Sequence, residues 1–182
     1  VAGMANQMRR FIDFDAGGRA GWNVVFDRTY RSRTLYESPF GAGWDSSIFR
    51  RLRQMPNGDV EYRDGAEVWT FKSAGGTYTS PAGLAFSLKR ADRGWTVVDQ
   101  KYRITSFDEL GRLIRESDEF FKASDPTGTG NVIHYDYDGD GRLISITDPV
   151  GRKSTLTYYA AATPQGGLVE EITDWHDTPR KI

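Results

Sequence analysis

Residues 135–143 read YDYDGDGRL, and this stretch is compatible with two different structures. Asp136, Asp138 and Asp140 alternate ahead of Gly141, which is how a calcium-binding loop begins. The same residues also suit a tight turn, because Asp can cap a turn through its own backbone and Gly tolerates a positive φ. The flanking segments, NVIHY and RLISI, are rich in β-branched and aromatic residues, which favours strands on both sides.

An internal repeat favours the turn. At an offset of 30 residues, FDELGRLIRESDEF (107–120) aligns with YDGDGRLISITDPV (137–150), and both follow the pattern aromatic-D-x-x-G-R-L-I-x-x-x-D. Asp140 is matched by Leu110, so the third member of the supposed ligand series varies. A helix-flanked calcium loop also requires a Glu at its twelfth position, where this chain has Thr147. A calcium site at Asp136, Asp138 and Asp140 remains the alternative to a turn.

The rest of the chain shows the same alternation of strand-forming and turn-forming segments. Short runs of aromatic and β-branched residues are interrupted by Gly, Asp, Asn and Pro, which predicts an all-β fold of consecutive antiparallel β-hairpins in a curved, open sheet. Asp148-Pro149-Val150-Gly151 is a strong type I turn signal. A degenerate third copy of the repeat is visible at Ile172-Thr173-Asp174, followed by Arg180-Lys181. The predicted strands are 23–30, 60–63, 67–72, 84–90, 95–99, 103–107, 112–116, 131–137, 142–147, 154–159 and 168–173.

Composition excludes several classes of function. The 24 basic and 25 acidic residues nearly cancel, so the chain has no long-range field with which to hold nucleic acid or an anionic membrane. It has no cysteine, which excludes disulfides and thiolate chemistry. No apolar run approaches the roughly 20 residues of a membrane helix, and no secretory signal is visible at the start. We expect the sequence to be part of a longer polypeptide.

The repeated Y-D-x-x-G-R-L units resemble the RHS or YD repeats of bacterial polymorphic toxins, toxin-complex subunits and wall-associated proteins. Residues 26–32, FDRTYRS, and 41–44, GAGW, are similar to the module that commonly precedes those repeats. The resemblance assigns Arg28, Tyr30, Ser32, Gly41, Gly43 and Trp44 to that module. It assigns Phe107, Asp108, Gly111, Arg112, Leu113, Tyr137, Asp138, Gly141, Arg142, Leu143, Asp148 and Gly151 to the repeat motif.

This resemblance implies a domain organisation and a role. Residues 1–21 are expected to be an irregular lead-in, 22–102 the N-terminal hairpin module, and 103–182 the repeats, with an inserted loop at 122–130. The implied function is a non-catalytic scaffold, a wall segment of a shell around a C-terminal toxin of the same polypeptide. Its implied partners are the downstream repeats and that toxin, with self-association possible through open strand edges. Such a protein would be bacterial and secreted or displayed on the cell surface.

Other chemistry has little support in the sequence. His134 and His176 are far apart and lack metal-ligand spacing, and no nucleophile elbow, phosphate loop or dinucleotide fingerprint is present, so we expect neither enzymatic activity nor a cofactor. The basic clusters at 9–10 and 50–53 are predicted as strand edges or contacts to a neighbouring segment. The main alternative function is a carbohydrate- or protein-binding module at the cell surface, with Trp22, Trp44, Trp69, Trp95 and Trp175 exposed for the purpose.

Overall fold

The computed structural model describes residues 7–34, 36–124 and 129–176, and in this part of the chain the fold is all-β. All pairings between its strands are antiparallel, and none of its sheets closes into a barrel. The strands are β1 (Met8–Asp15), β2 (Val25–Arg31), β3 (Glu37–Ser38), β4 (Gly41–Ala42), β5 (Trp44–Asp45), β6 (Arg51–Gln54), β7 (Val60–Asp64), β8 (Glu67–Ala74), β9 (Thr77–Thr79), β10 (Ser87–Ala91), β11 (Gly94–Val98), β12 (Ile104–Phe107), β13 (Leu113–Ser117), β14 (Val132–Tyr137), β15 (Leu143–Thr147), β16 (Lys153–Tyr158) and β17 (Val169–Thr173).

The C-terminal half is a single eight-stranded sheet in which the strands β10 to β17 lie in chain order. Every strand pairs with its neighbours in the chain, two for each inner strand and one for the edge strands β10 and β17, so every connection is a hairpin. The all-β prediction and the hairpin architecture are confirmed. Every strand that the sequence predicts is present, with bounds that differ by a few residues at most.

The N-terminal part forms smaller sheets beside this one. β1, β2 and β5 make a three-stranded sheet, β3 pairs with β4, and β6 to β9 make a four-stranded sheet in chain order. The expectation of an irregular lead-in over residues 1–21 is wrong for Met8–Asp15, which form β1. This segment is held as a strand by pairing along the whole of β2, a contact that its own sequence does not reveal.

A β-bulge lies beside the turn in each of three hairpins. In the pairing of β14 with β15, Asp136 is opposite Ser145 while Tyr137 is opposite Leu143, so Ile144 is the extra residue. Equivalent shifts occur between β12 and β13 and between β16 and β17. A bulge removes its residue from the side-chain alternation. Strict alternation would place Ile144 on the packed face with Ile146, but the bulge leaves Ile144 38% exposed while Ile146 is 1% exposed.

One continuous hydrophobic core joins the sheets. It runs from Phe26 of β2 through Phe71 of β8 to Phe107, Leu143 and Ile172 of the large sheet. In β14, Ile133 and Tyr135 point into this core while His134 and Asp136 face outward, as strand alternation requires. The same layer of side chains therefore supports the N-terminal sheets and the repeats.

The predicted inserted loop at 122–130 connects β13 with β14, and its residues 125–128 lie outside the described part of the chain. Asp118 closes the base of this connection, because its Oδ2 accepts hydrogen bonds from the Asn131 backbone N at 2.8 Å and from Asn131 Nδ2 at 2.7 Å. In the degenerate third repeat copy, Arg180 and Lys181 also lie outside the described residues.

Candidate functional site

The repeated turns of the large sheet share one hydrogen-bonding arrangement, which we call the aspartate corner. In the corner at residues 138–142, Asp138 Oδ1 accepts from the backbone N of Asp140 at 3.0 Å and of Arg142 at 2.9 Å. Asp138 Oδ2 accepts from Arg142 Nε at 2.8 Å. Gly141 has φ +79°, the left-handed conformation that glycine adopts without a steric penalty. A single carboxylate therefore fixes both the turn and the arginine that follows it.

The corners at 108–112 and 148–152 repeat this arrangement. Asp108 Oδ1 accepts from the backbone N of Leu110 at 3.0 Å and of Arg112 at 2.8 Å, and its Oδ2 accepts from Arg112 Nε at 2.7 Å. The corresponding distances from Asp148 are 3.0 Å to Val150 N, 2.9 Å to Arg152 N and 2.7 Å to Arg152 Nε. The third residue after each aspartate is glycine, with φ +80° at Gly111 and +86° at Gly151.

A further aspartate corner, which the sequence pattern did not predict, lies at residues 99–103. Asp99 Oδ1 accepts from Lys101 N at 2.7 Å and from Arg103 N at 3.0 Å, and Tyr102 N donates to Asp99 O at 3.1 Å. Tyr102 occupies the glycine position with φ +59°. The spacing of Asp99 and Arg103, D-x-x-x-R, is the signal that could have revealed it, but the glycine that marks the other copies is absent.

The arginines of two corners contact an aromatic ring from a later strand. Arg112 lies over Tyr137 at 4.8 Å and Arg142 over Tyr158 at 5.5 Å, measured from the guanidinium carbon to the ring centroid. The hydroxyl groups of these two tyrosines donate to the backbone O of Leu113 and of Leu143, each at 2.8 Å. Burial raises the pKa of both phenols, so they remain protonated donors at neutral pH. The turns at 108–112 and 138–142 are thus each linked to the strand pair that follows them.

The same contact occurs at two further corners with tryptophan as the ring. Arg152 lies 4.1 Å from the centroid of Trp175, and Arg103 lies 4.2 Å from that of Trp22. The second pair crosses from the repeats to the N-terminal part of the chain. We call the four arginine–aromatic pairs the corner ties: Arg103–Trp22, Arg112–Tyr137, Arg142–Tyr158 and Arg152–Trp175.

The N-terminal module residues assigned from the sequence converge around Trp44. Arg28 donates to Asp13 at 2.8 and 2.6 Å, and its guanidinium carbon lies 5.7 Å from the Trp44 ring. Tyr30 packs on the same ring, with centroids 5.2 Å apart. The strands β2 and β5 place these side chains together.

The glycines and the serine assigned to the N-terminal module determine the conformation of its backbone. A Cβ at Gly43, which has φ +77°, would lie 2.9 Å from the Arg31 carbonyl oxygen, so this turn requires glycine. Gly41 also has a positive φ, +97°. Ser32 Oγ accepts from Gln7 N at 3.0 Å and Ser32 N donates to Gln7 O at 3.1 Å, which pins the start of β1.

The junction between the N-terminal sheets and the repeats contains a buried charge cluster centred on Glu116 of β13. Glu116 is 2% exposed and accepts from Arg50 Nη2 at 2.5 Å, Arg103 Nη1 at 2.9 Å and the Tyr135 hydroxyl at 2.5 Å. Burial alone would raise the pKa of Glu116, but Arg50, Tyr135 and Arg103 together lower it to about 2. The carboxylate is therefore charged at neutral pH and poorly suited to general acid–base catalysis.

Backbone contacts reinforce this junction at the corners. Leu52 N of β6 donates to Gly111 O at 2.8 Å, and Arg51 forms an isolated β-bridge with Arg112. Arg152 Nη2 donates to the backbone O of Gly17. The N-terminal sheets therefore rest directly on the turns of the repeats.

A cavity of about 390 Å³ that several charged side chains line lies at the junction, between β1, β2, β7, β8 and the large sheet. Its buried carboxylates are already paired: Glu116 as described, and Asp27 with Arg10 at 3.0 Å and the Ser47 hydroxyl at 2.5 Å. Among the described residues, no group of three or more His, Cys, Asp or Glu side chains is arranged to hold a metal ion. The hydrogen bonds and ion pairs described for Glu116 and Asp27 therefore join protein side chains to one another.

The three aspartates of the calcium alternative diverge. Asp138 caps its corner, Asp140 contacts Arg142 at 3.2 Å, and Asp136 accepts from the Ser145 hydroxyl at 2.7 Å on the outer face of the sheet. Strands flank the loop on both sides, because β14 precedes it and β15 follows it. The geometry is that of a hairpin turn.

The tryptophans proposed for a binding surface are not exposed. Trp95 is 5% exposed, and Trp22, Trp44, Trp69 and Trp175 are half-buried. Their rings pack against the core or against arginines, as in the contact of Trp69 with Tyr62 at 5.6 Å between centroids. The expectation that these five tryptophans are exposed is therefore wrong, because their rings are covered by the core or by arginine side chains.

These features define a class of protein whose fold is an open antiparallel sheet, built from repeated hairpins with aspartate corners. The family model described as "RHS Repeat" matches residues 124–158, and "Domain of unknown function (DUF6531)", a domain typical of RHS/YD proteins, matches residues 6–68. Together, the two matches support an RHS/YD-repeat protein. No curated protein matches it. Both families are typically non-catalytic, and RHS-repeat proteins are typically extracellular or at the cell surface.

The match to the N-terminal family begins within the segment expected to be a lead-in, in agreement with the presence of β1. Over the described residues, no helix has the length and apolar character needed to cross a membrane. The RHS-repeat match supports a structural role for the chain.

Proposed function

We propose that this chain is a non-catalytic wall segment of an RHS/YD-repeat shell, which encloses a C-terminal toxin of the same polypeptide and helps to deliver it in bacterial competition. The observation that carries this proposal is the repetition of the corner ties along the sheet. A tie between each hairpin and the next lets the sheet extend by adding further hairpins, without a closed end. A sheet of this kind suits a barrier better than a compact binding domain.

The partners follow from the edges of the sheet. β17 is its last strand among the described residues, and no described strand pairs with its outer side. An unpaired edge offers backbone N–H and C=O groups to another strand. We propose that downstream repeats of the same polypeptide pair with this edge, and that an isolated segment associates with other copies through it. A secreted or surface-displayed bacterial protein would contain the complete wall.

Protease protection tests the proposed function. In a longer polypeptide that contains this segment and its C-terminal effector, limited proteolysis is expected to leave the effector intact while exposed loops are cut. Asp148→Ala removes the carboxylate of one corner and is expected to make the effector accessible. Asp92→Ala, at an exposed position in the turn between β10 and β11, serves as the control and is expected to preserve protection. Equal digestion of the effector in all three proteins would contradict the proposal.

A further inference from the structure

An arginine-rich cleft of about 190 Å³ lies on the sheet of β6 and β7. Arg51 and Arg53 of β6 and Arg63 and Glu61 of β7 line it, together with Tyr36. We call it the arginine cleft. The side chain of Arg53 is 68% exposed, so the cleft is open to solvent.

Two like charges face each other across this cleft. Arg51 is directly opposite Arg63 in the register of β6 and β7, an arrangement that is destabilising when nothing compensates it. Both guanidinium groups lie against the ring of Tyr36, at 4.1 Å for Arg51 and 4.6 Å for Arg63. Contact with the ring offsets part of the repulsion, and Arg51 Nη1 also donates to the Phe49 backbone O at 2.8 Å.

The acceptors within the cleft are too few for its donors. Glu61 is shared between Arg53 at 3.3 Å and Arg63 at 3.4 Å, and both distances are long for charge-assisted hydrogen bonds. Asp45, behind the cleft, pairs with Arg51 at 3.1 Å. Three guanidinium groups therefore share two carboxylates, which leaves a positive charge uncompensated.

Specific donors remain unused. Arg63 Nε is buried and has no hydrogen-bond acceptor among the described residues, and the same is true of Arg31 Nε nearby. Both arginines line a small cavity of about 20 Å³ that adjoins the arginine cleft at Tyr36. Burial raises the pKa of Tyr36 to about 12, so its phenol is protonated at neutral pH. The small cavity has room for about one water molecule, whereas the arginine cleft, which Arg63 also lines, is large enough for an oxyanion to reach its guanidinium group.

We propose that the arginine cleft binds a carboxylate group carried by an acidic polypeptide segment. Guanidinium groups match the planar geometry of a carboxylate. A nucleic-acid backbone fits less well, because its regularly spaced phosphates need a longer basic surface than a cleft with three arginines, and the net charge of the chain is −1. This site goes beyond the wall role, because the cleft is open to a ligand whether or not the chain encloses a cargo.

A hexaglutamate peptide is the probe for this site, with inorganic phosphate and a short DNA duplex as the other two ligands, each titrated calorimetrically at one fixed ionic strength. Hexaglutamate is expected to bind. Arg63→Gln is expected to weaken its binding at least about tenfold, because hydrogen bonds to charged groups are the strong ones. Glu61→Gln is expected to strengthen it several-fold, because it frees Arg53 and Arg63 from their shared partner.

Arg93→Gln is the matched control, because it removes the same charge from an exposed turn outside the cleft. It is expected to leave binding unchanged. An equal loss in Arg93→Gln and Arg63→Gln, or no increase in Glu61→Gln, would overturn the site. Binding of phosphate or DNA in preference to hexaglutamate would overturn the assignment to a polypeptide carboxylate. If Arg63→Gln fails to fold, as circular dichroism would show, Arg53→Gln takes its place with the same expected loss.

Discussion

Glu116→Ala is expected to lower the free energy of unfolding by about 3–5 kcal/mol, the usual effect of removing one partner from a buried ion pair. The variant leaves Arg50 buried without its closest carboxylate and leaves the Tyr135 hydroxyl without its acceptor. The loss would be a large part of the roughly 5–15 kcal/mol that stabilises a typical domain. Urea unfolding followed by tryptophan fluorescence measures it.

The control is Glu119→Ala, which removes an exposed carboxylate from the connection that follows β13. A surface substitution of this kind is expected to change stability by no more than about 0.5 kcal/mol. If the two variants proved equally stable, the Glu116 cluster would not hold the N-terminal sheets to the repeats.

The contribution of the Glu116 cluster to stability is also expected to depend on pH. The folded-state pKa of Glu116 is lowered to about 2, below its ordinary value, so its charge stabilises the fold above the unfolded-state pKa. This contribution is lost as the pH falls through the window from about 4.5 to about 2. The stability difference between wild type and Glu116→Gln should therefore shrink over that window. A difference that is constant with pH would contradict the assigned pKa shift.

Gly111→Ala is expected to destabilise the fold by at least about 2 kcal/mol more than Gly151→Ala, although both glycines occupy the same position of the aspartate corner. Alanine at either site meets the left-handed penalty of about 1–2 kcal/mol. At Gly111 the new Cβ would also overlap the Leu52 carbonyl, whereas at Gly151 it would meet open space. Overpacking costs about 1–3 kcal/mol, and the bond from Leu52 N to Gly111 O would be strained as well.

The comparison isolates the contact between the corner and β6, because the local turn chemistry is matched. Thermal and urea unfolding of both variants provide the measurement. Equal destabilisation by the two substitutions would show that β6 is not in close contact with the repeat at Gly111.

The sequence predicted the hairpins because their determinants are local. An aspartate, a glycine three residues later and an arginine after it make most of the corner's hydrogen bonds within five residues, so the pattern is legible without any tertiary contact. The Asp99 corner was missed because Tyr102 adopts the left-handed conformation in place of glycine, an exception that propensity cannot foresee.

Features that depend on distant partners were beyond sequence reasoning. β1 becomes a strand through its pairing with β2, and the charge of Glu116 can be buried because Arg50, distant in sequence, is brought against it. The exposure of the tryptophans was mispredicted for the same reason, since Trp22 and Trp175 are covered by arginines from other hairpins. The exposure of Ile144 depends on a bulge, which hydrophobic alternation alone does not indicate.

The central claim is that this sheet is a portion of a continuing wall. A cryo-electron microscopy structure of a longer polypeptide that continues past Ile182 tests it most directly. We expect the next repeat to pair antiparallel with the outer edge of β17 and the extended sheet to curve around an enclosed space that holds the effector. A following segment that folds as a separate domain, with the outer edge of β17 left unpaired, would contradict the account.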